Sequence, residues 1–115
     1  IIEPEDDVAL MMERFLRSNG FEVARARDAH QGKWMAPLIS PHIVLLDSGP
    51  DDGLKIARIF RNDSGLGDTP LVIMIPEDID ERQPELVDSL REIFDGFLYK
   101  PFADTELLRV VENFT

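Results

Sequence analysis

Three side chains suited to gripping a phosphoryl group or a cation each stand just past a run of aliphatic residues. They are Glu3 after Ile1 and Ile2, Asp47 after HIVLL, and Lys100 after GFLY. A carboxylate aimed off the end of a buried run is costly unless positive charge meets it. Two such carboxylates brought close repel one another. A hard divalent cation such as Mg²⁺ relieves that repulsion through oxygen ligands and keeps waters free for a phosphate. Lys100 adds a second, movable positive charge.

These residues can meet only if the runs that carry them lie side by side. Aliphatic runs alternate with helical patterns along the chain, which predicts a parallel sheet covered by helices on both faces. Predicted strands end at Ile2, run through FEVARA, HIVLLD and LVIMI, and finish with GFLY. The first predicted helix carries Val8, Met11, Met12 and Phe15 at helical spacing, with Glu5, Asp6 and Asp7 at its positive end and Gly20 as its stop. A second helix, DAHQGKWMA, has Asp28 as N-cap, and Pro37 and Pro41 bracket the loop beyond it. Leu54, Ile56, Ala57, Ile59 and Phe60 mark a third helix, followed by a loop over 62–70. DIDERQPELVDSLREIF contains a fourth, whose better half starts at Pro84, and DTELLRVVENF is the last. Five strands and five helices in alternation give a doubly wound sheet. Its binding crevice lies beyond the carboxyl ends of the strands. In the order 2-1-3-4-5, Glu3 falls beside Asp47.

Composition narrows the function classes. A chain of 115 residues, 43% hydrophobic, is sized for one domain, and no run approaches the roughly 18 apolar residues of a membrane span. The absence of cysteine excludes disulfides, thiolate metal sites and thiol catalysis. Twelve basic against 23 acidic residues leave a formal charge of −11, which repels nucleic-acid backbones and anionic lipid and favours proteins or cations as partners. The opening IIEPEDD carries no signal segment, so the chain is expected to be a domain excised from a longer cytoplasmic protein. His30 and His42 lack a partner pattern and read as structural, and Trp34 and Met35 as edge packing.

HIVLLD with the later Asp52-Gly53, SNGFEV, TPLVIMI and above all DGFLYKPFADTELL resemble the response-regulator receiver domain of bacterial two-component signalling, over essentially the whole of 1–115. The resemblance implies a flavodoxin-like fold and a phosphorelay role outside enzymology. Asp47 is then the phosphoacceptor, Lys100 contacts the phosphoryl group, and the bond before Pro101 is cis. Mg²⁺ is held by Glu3, Asp47 and the carbonyl of Gly49. The implied partners are a histidine kinase or phosphotransfer protein, an output or effector domain, and a second copy in a homodimer.

Departures from the pattern are as informative. Pro4 stands where a second acid is usual, which makes Glu5 a candidate replacement ligand. Ile75 occupies the place of the switch hydroxyl, and Phe97 that of the switch aromatic. The loop after Asp47 is short, with Pro50 three residues on and Gly53 six, and DDG reads as a turn. Two other readings follow. One is a pseudo-receiver that keeps the fold as an interaction surface without phosphorylation. The other is an Asp-nucleophile phosphatase of the haloacid-dehalogenase kind, disfavoured because Gly49 stands where its second aspartate belongs.

Overall fold

The computed structural model describes residues 1–47, 49–62 and 66–115. Strands β1 (Val44–Leu46), β2 (Leu71–Pro76) and β3 (Gly96–Lys100) form a parallel sheet in that order. Leu46 pairs with Ile73, Ile73 with Phe97, and Pro76 with Lys100. The helices are α1 (Asp6–Ser18), α2 (Ala29–Ile39), α3 (Pro50–Asn62), α4 (Ile79–Arg82), α5 (Pro84–Ile93) and α6 (Asp104–Phe114). None of them, among the described residues, is long and apolar enough to cross a membrane.

Because helices cover both faces, β1 and the body of β2 are buried without a polar side. The two-residue period of β2 then divides the core. Leu71, Ile73 and Ile75 pack with Ala57 and Phe60 of α3 and Val87 and Leu90 of α5. Val72 and Met74 pack on the other face with Met12 and Leu16 of α1 and Leu107 and Val111 of α6. Helix α3 approaches β2 closely because Gly53 has no side chain: a Cβ there would stand 2.6 Å from Ile73 Cδ1.

The architecture departs from expectation at one end of the predicted order. Among the described residues three strands form where five were expected. The segments at Ile2 and within FEVARA contribute single parallel bridges, Ile2 to Ala26 and Ile2 to Leu46. Pro4, which has no N–H to donate, stands two residues beyond Ile2 and stops that ladder from extending. Among the described residues six helices form in place of five. Pro84 disfavours helical backbone at Gln83, which leaves the helical region at φ −142°, ψ 65° and divides α4 from α5.

Smaller corrections have equally local causes. Asp51 to Gly53, read as a turn, lie in the first turns of α3, which begins directly after Gly49 at φ +89°. Helix α2 runs through Pro37, whose missing N–H costs a bond only in the last turn, and closes on Ser40 in the left-handed region. Its start is as expected, with Asp28 accepting the Gln31 N–H at 2.8 Å. Helix α1 buries Ala9, Met12 and Leu16, leaving Met11 exposed. Of the loop expected over 62–70, positions 63–65 lie outside the described residues.

Candidate functional site

Asp47 immediately follows β1, and its N–H donates to the Ile2 carbonyl at 2.8 Å, so the bridge that seats Ile2 also sets the direction of the carboxylate. Lys100 is the last residue of β3. Its ammonium donates to both Asp47 oxygens, at 3.1 Å to Oδ1 and 2.9 Å to Oδ2. The Asp47 side chain is 16% exposed, enough for a small ligand to reach it from the crevice.

Glu3 completes the group and is the most perturbed acid in the site. It is 2% exposed, and its carboxyl lies against that of Asp47. Oε1 accepts the Glu5 N–H at 3.3 Å, whereas Oε2 has no donor among the described residues. Burial first, then hydrogen bonding to and repulsion by Asp47, push its pKa up from 4.5 to about 7, against a smaller opposing pull from Lys100. Two carboxyl groups thus share one ammonium, and at neutral pH the pair is short of positive charge.

The remaining expected positions divide cleanly. Gly49 lies just before α3, and its carbonyl already accepts the Gly53 N–H at 2.8 Å. Glu5 is exposed and gives the site a backbone N–H. Among the described residues no group of three acids or histidines is placed to hold a metal, so Glu5 does not join Glu3 and Asp47. Ile75 is fully buried in the core, paired with Tyr99. Phe97 stands edge-on to Tyr99 at 6.1 Å, with the Arg91 guanidinium 5.9 Å from its ring centre. The Lys100–Pro101 bond is cis.

One contributor has no counterpart in the sequence reading. Arg25 donates twice to the Glu3 carbonyl, at 3.0 and 2.7 Å, and once to Asp6 Oδ1 at 2.7 Å. It fixes the backbone of Glu3 from behind and holds Asp6 at the start of α1, where Arg25 and Arg27 lower the Asp6 pKa. Its main partner is a backbone carbonyl, and such an acceptor leaves no signature in residue type. The only hint is the pair Arg25 and Arg27 in a chain whose residues 3–7 read EPEDD.

Similarity to known proteins places this geometry in a class. No protein-family model matches the chain. The transcriptional regulatory protein PrrA of Mycobacterium tuberculosis is 30% identical over 115 residues, covering 97% of this chain and 47% of PrrA. The chain spans about half the length of the curated relatives it matches. The chemotaxis protein CheY4 of Vibrio cholerae has the same fold, with a TM-score of 0.83 at 20% identity, over 99% of this chain and 94% of that one. So does the receiver domain of the sensor histidine kinase PA1611 of Pseudomonas aeruginosa, with a TM-score of 0.79 at 20% identity, over 98% and 92% of the two chains. That structure is described with a magnesium ion coordinated in the active-site cleft. The fold is that of receiver domains. The DNA-binding response regulator MtrA of Mycolicibacterium smegmatis is 27% identical over 94% of this chain and 46% of its own length, and together these likenesses support a divergent receiver domain of the two-component kind.

Proposed function

We propose that this domain accepts a phosphoryl group on Asp47 from the phosphohistidine of a kinase or phosphotransfer protein, and signals by the conformational shift that follows. The observation that carries the proposal is the Lys100 ammonium on both Asp47 oxygens, beside a buried Glu3 with an unsatisfied Oε2. An isolated aspartate capping a helix needs neither neighbour.

The donor set suits a hard cation: two carboxylates of strained charge balance, from Glu3 and Asp47, with the second lone pair of the Gly49 carbonyl nearby in sequence. Pro4 supplies no oxygen from its side chain, so the site is leaner than two adjacent acids would make it. Mg²⁺ bound there would spread the charge of the transferring phosphoryl oxygens.

In the transfer, one Asp47 oxygen attacks phosphorus in line with the phosphorus–nitrogen bond of the donor. The oxygen–phosphorus bond forms as the phosphorus–nitrogen bond breaks, and the imidazole leaves with the electron pair. Lys100, half exposed at the end of β3, shifts from the carboxylate to the new phosphoryl oxygens. Ile75 has no hydroxyl to follow the phosphate, so the readout runs through Lys100 and the Phe97–Tyr99 edge of β3. The bridges from Ile2 to Ala26 and to Leu46 support a 2-1-3-4-5 arrangement of the five segments. The relatives' greater length supports an output domain joined to this one.

Adding Mg²⁺ and beryllofluoride, which mimics the aspartyl phosphate, tests the proposal through the amide spectrum. Shifts centred on Asp47, Lys100 and Gly49 and lost in Asp47→Asn are expected. A spectrum unchanged at millimolar Mg²⁺ would remove the proposal. It would favour a second reading, suggested by Pro4 and by the buried Ile75: a receiver fold that serves as an interaction module without phosphorylation.

A further inference from the structure

Helix α2 has an outer face unlike any other in the molecule. In a chain with 23 acidic residues it is, among the described residues, the one helix of the six without an aspartate or glutamate. Its outward residues are large and apolar: Trp34 is 71% and Leu38 82% exposed, with exposed Pro37 beside them. Helical spacing puts His30, Trp34 and Leu38 in one row and Lys33 and Pro37 in the next, so the apolar stripe is flanked by a cationic edge. The surrounding stretch, 24–43, carries Arg25, Arg27 and Lys33 against Asp28 alone, together with both histidines of the chain. Lys33, His30 and Arg27 are all exposed.

Solvent alone gives no reason to display Trp34 and Leu38, because the buried side of α2 is already provided by Gly32 and Ala36 against the core. Gly32 in particular lets the helix seat on Ile2, where a Cβ would meet Ile2 Cδ1 at 2.6 Å. The small residues face inward and the tryptophan outward, an inversion of what core packing would select. An aromatic anchor among aliphatic neighbours with a charged rim is the composition of an interface centre.

We propose that the α2 face, centred on Trp34 and Leu38, docks an acidic amphipathic helix of a partner protein. Such a helix would lay leucine-type side chains along Trp34 and Leu38 and set its carboxylates against Lys33 and Arg27. A helix about 10 to 12 Å across meets only this stripe. A lipid surface would meet the rest of the molecule as well, whose formal charge of −11 opposes anionic headgroups. A second copy that paired α2 with α2 would set two Lys33-bearing cationic edges against each other. The proposal is independent of Asp47.

Trp34 is the only tryptophan, so its fluorescence reports the face directly. The whole chain would be titrated with a designed helical peptide of about 20 residues bearing a leucine stripe flanked by glutamates. The parallel titrations use a lysine-flanked analogue, a scrambled peptide, and vesicles of phosphatidylcholine with and without phosphatidylglycerol. A saturable blue shift with the glutamate peptide alone is expected, weakened at least about tenfold by Leu38→Glu and by Lys33→Glu. Leu38 is exposed enough that the variant keeps its fold, checked by circular dichroism. Four results would overturn the proposal: no shift with the glutamate peptide, an equal shift with the lysine or scrambled peptide, a shift with vesicles in its place, or a shift that grows with protein concentration alone.

Discussion

Glu3 is a buried acid whose nearest charged neighbour is another acid, and its chemistry follows from that placement. With its pKa raised from 4.5 to about 7, the folded metal-free domain holds a proton that the unfolded chain releases. The resulting stability is fully present below about pH 4.5 and lost as pH rises through about 7. Thermal unfolding of the metal-free protein is therefore expected to show a falling melting temperature between pH 5 and 8 that Glu3→Gln flattens (on the order of the shift above). An equal slope in the variant would assign the effect to other groups. Mg²⁺ competes with that proton, so its affinity by calorimetry should rise with pH through the same window, and a pH-independent affinity would count against Glu3 as a ligand. Lys100→Met leaves Asp47 without its donor and is expected to weaken the response to beryllofluoride at least about tenfold while the domain stays folded. Asp47 and Lys100 were legible because each charged residue ends an aliphatic run, where a buried strand has no other use for it. Arg25 was not, since its partner is the Glu3 carbonyl.

At the scale of elements, two contacts hold the sheet and helices in the arrangement that brings the site together. Gly53 seats α3 against β2, and Gly53→Val would drive a side chain into Ile73 Cδ1. A loss of about 1 to 3 kcal/mol in chemical denaturation is expected. Near the start of β2, Asp95 accepts the Leu71 N–H at 2.8 Å and pairs with Arg61, which also donates to the carbonyls of Gly67, Thr69 and Ile93. Asp95→Ala leaves these donors short and should cost a similar amount, about 1 to 3 kcal/mol. The helices α1, α5 and α6 were readable from apolar spacing, and the central strands from unbroken aliphatic runs. The outer segments were less so: FEVARA alternates as a strand should, but it is an edge with one neighbour, and Pro4 lets Ile2 pair only once on each side. Position sets the outcome there, and position is a tertiary property.

For the whole molecule, the two cores on either side of the sheet leave one end as the place where Glu3, Asp47 and Lys100 converge. The formal charge of −11 favours cations over polyanions around the molecule as a whole. The outer face of α2, with Trp34 and Leu38 exposed, is a surface separate from that end. The signalling role turns on whether Asp47 takes a phosphoryl group. The most direct measurement is the intact mass of the folded chain after incubation with a small phosphodonor and Mg²⁺. A gain of one phosphoryl group, absent from Asp47→Asn and from metal-free samples, is the expected outcome. No gain at saturating Mg²⁺, or the same gain in Asp47→Asn, would contradict the phosphoacceptor assignment.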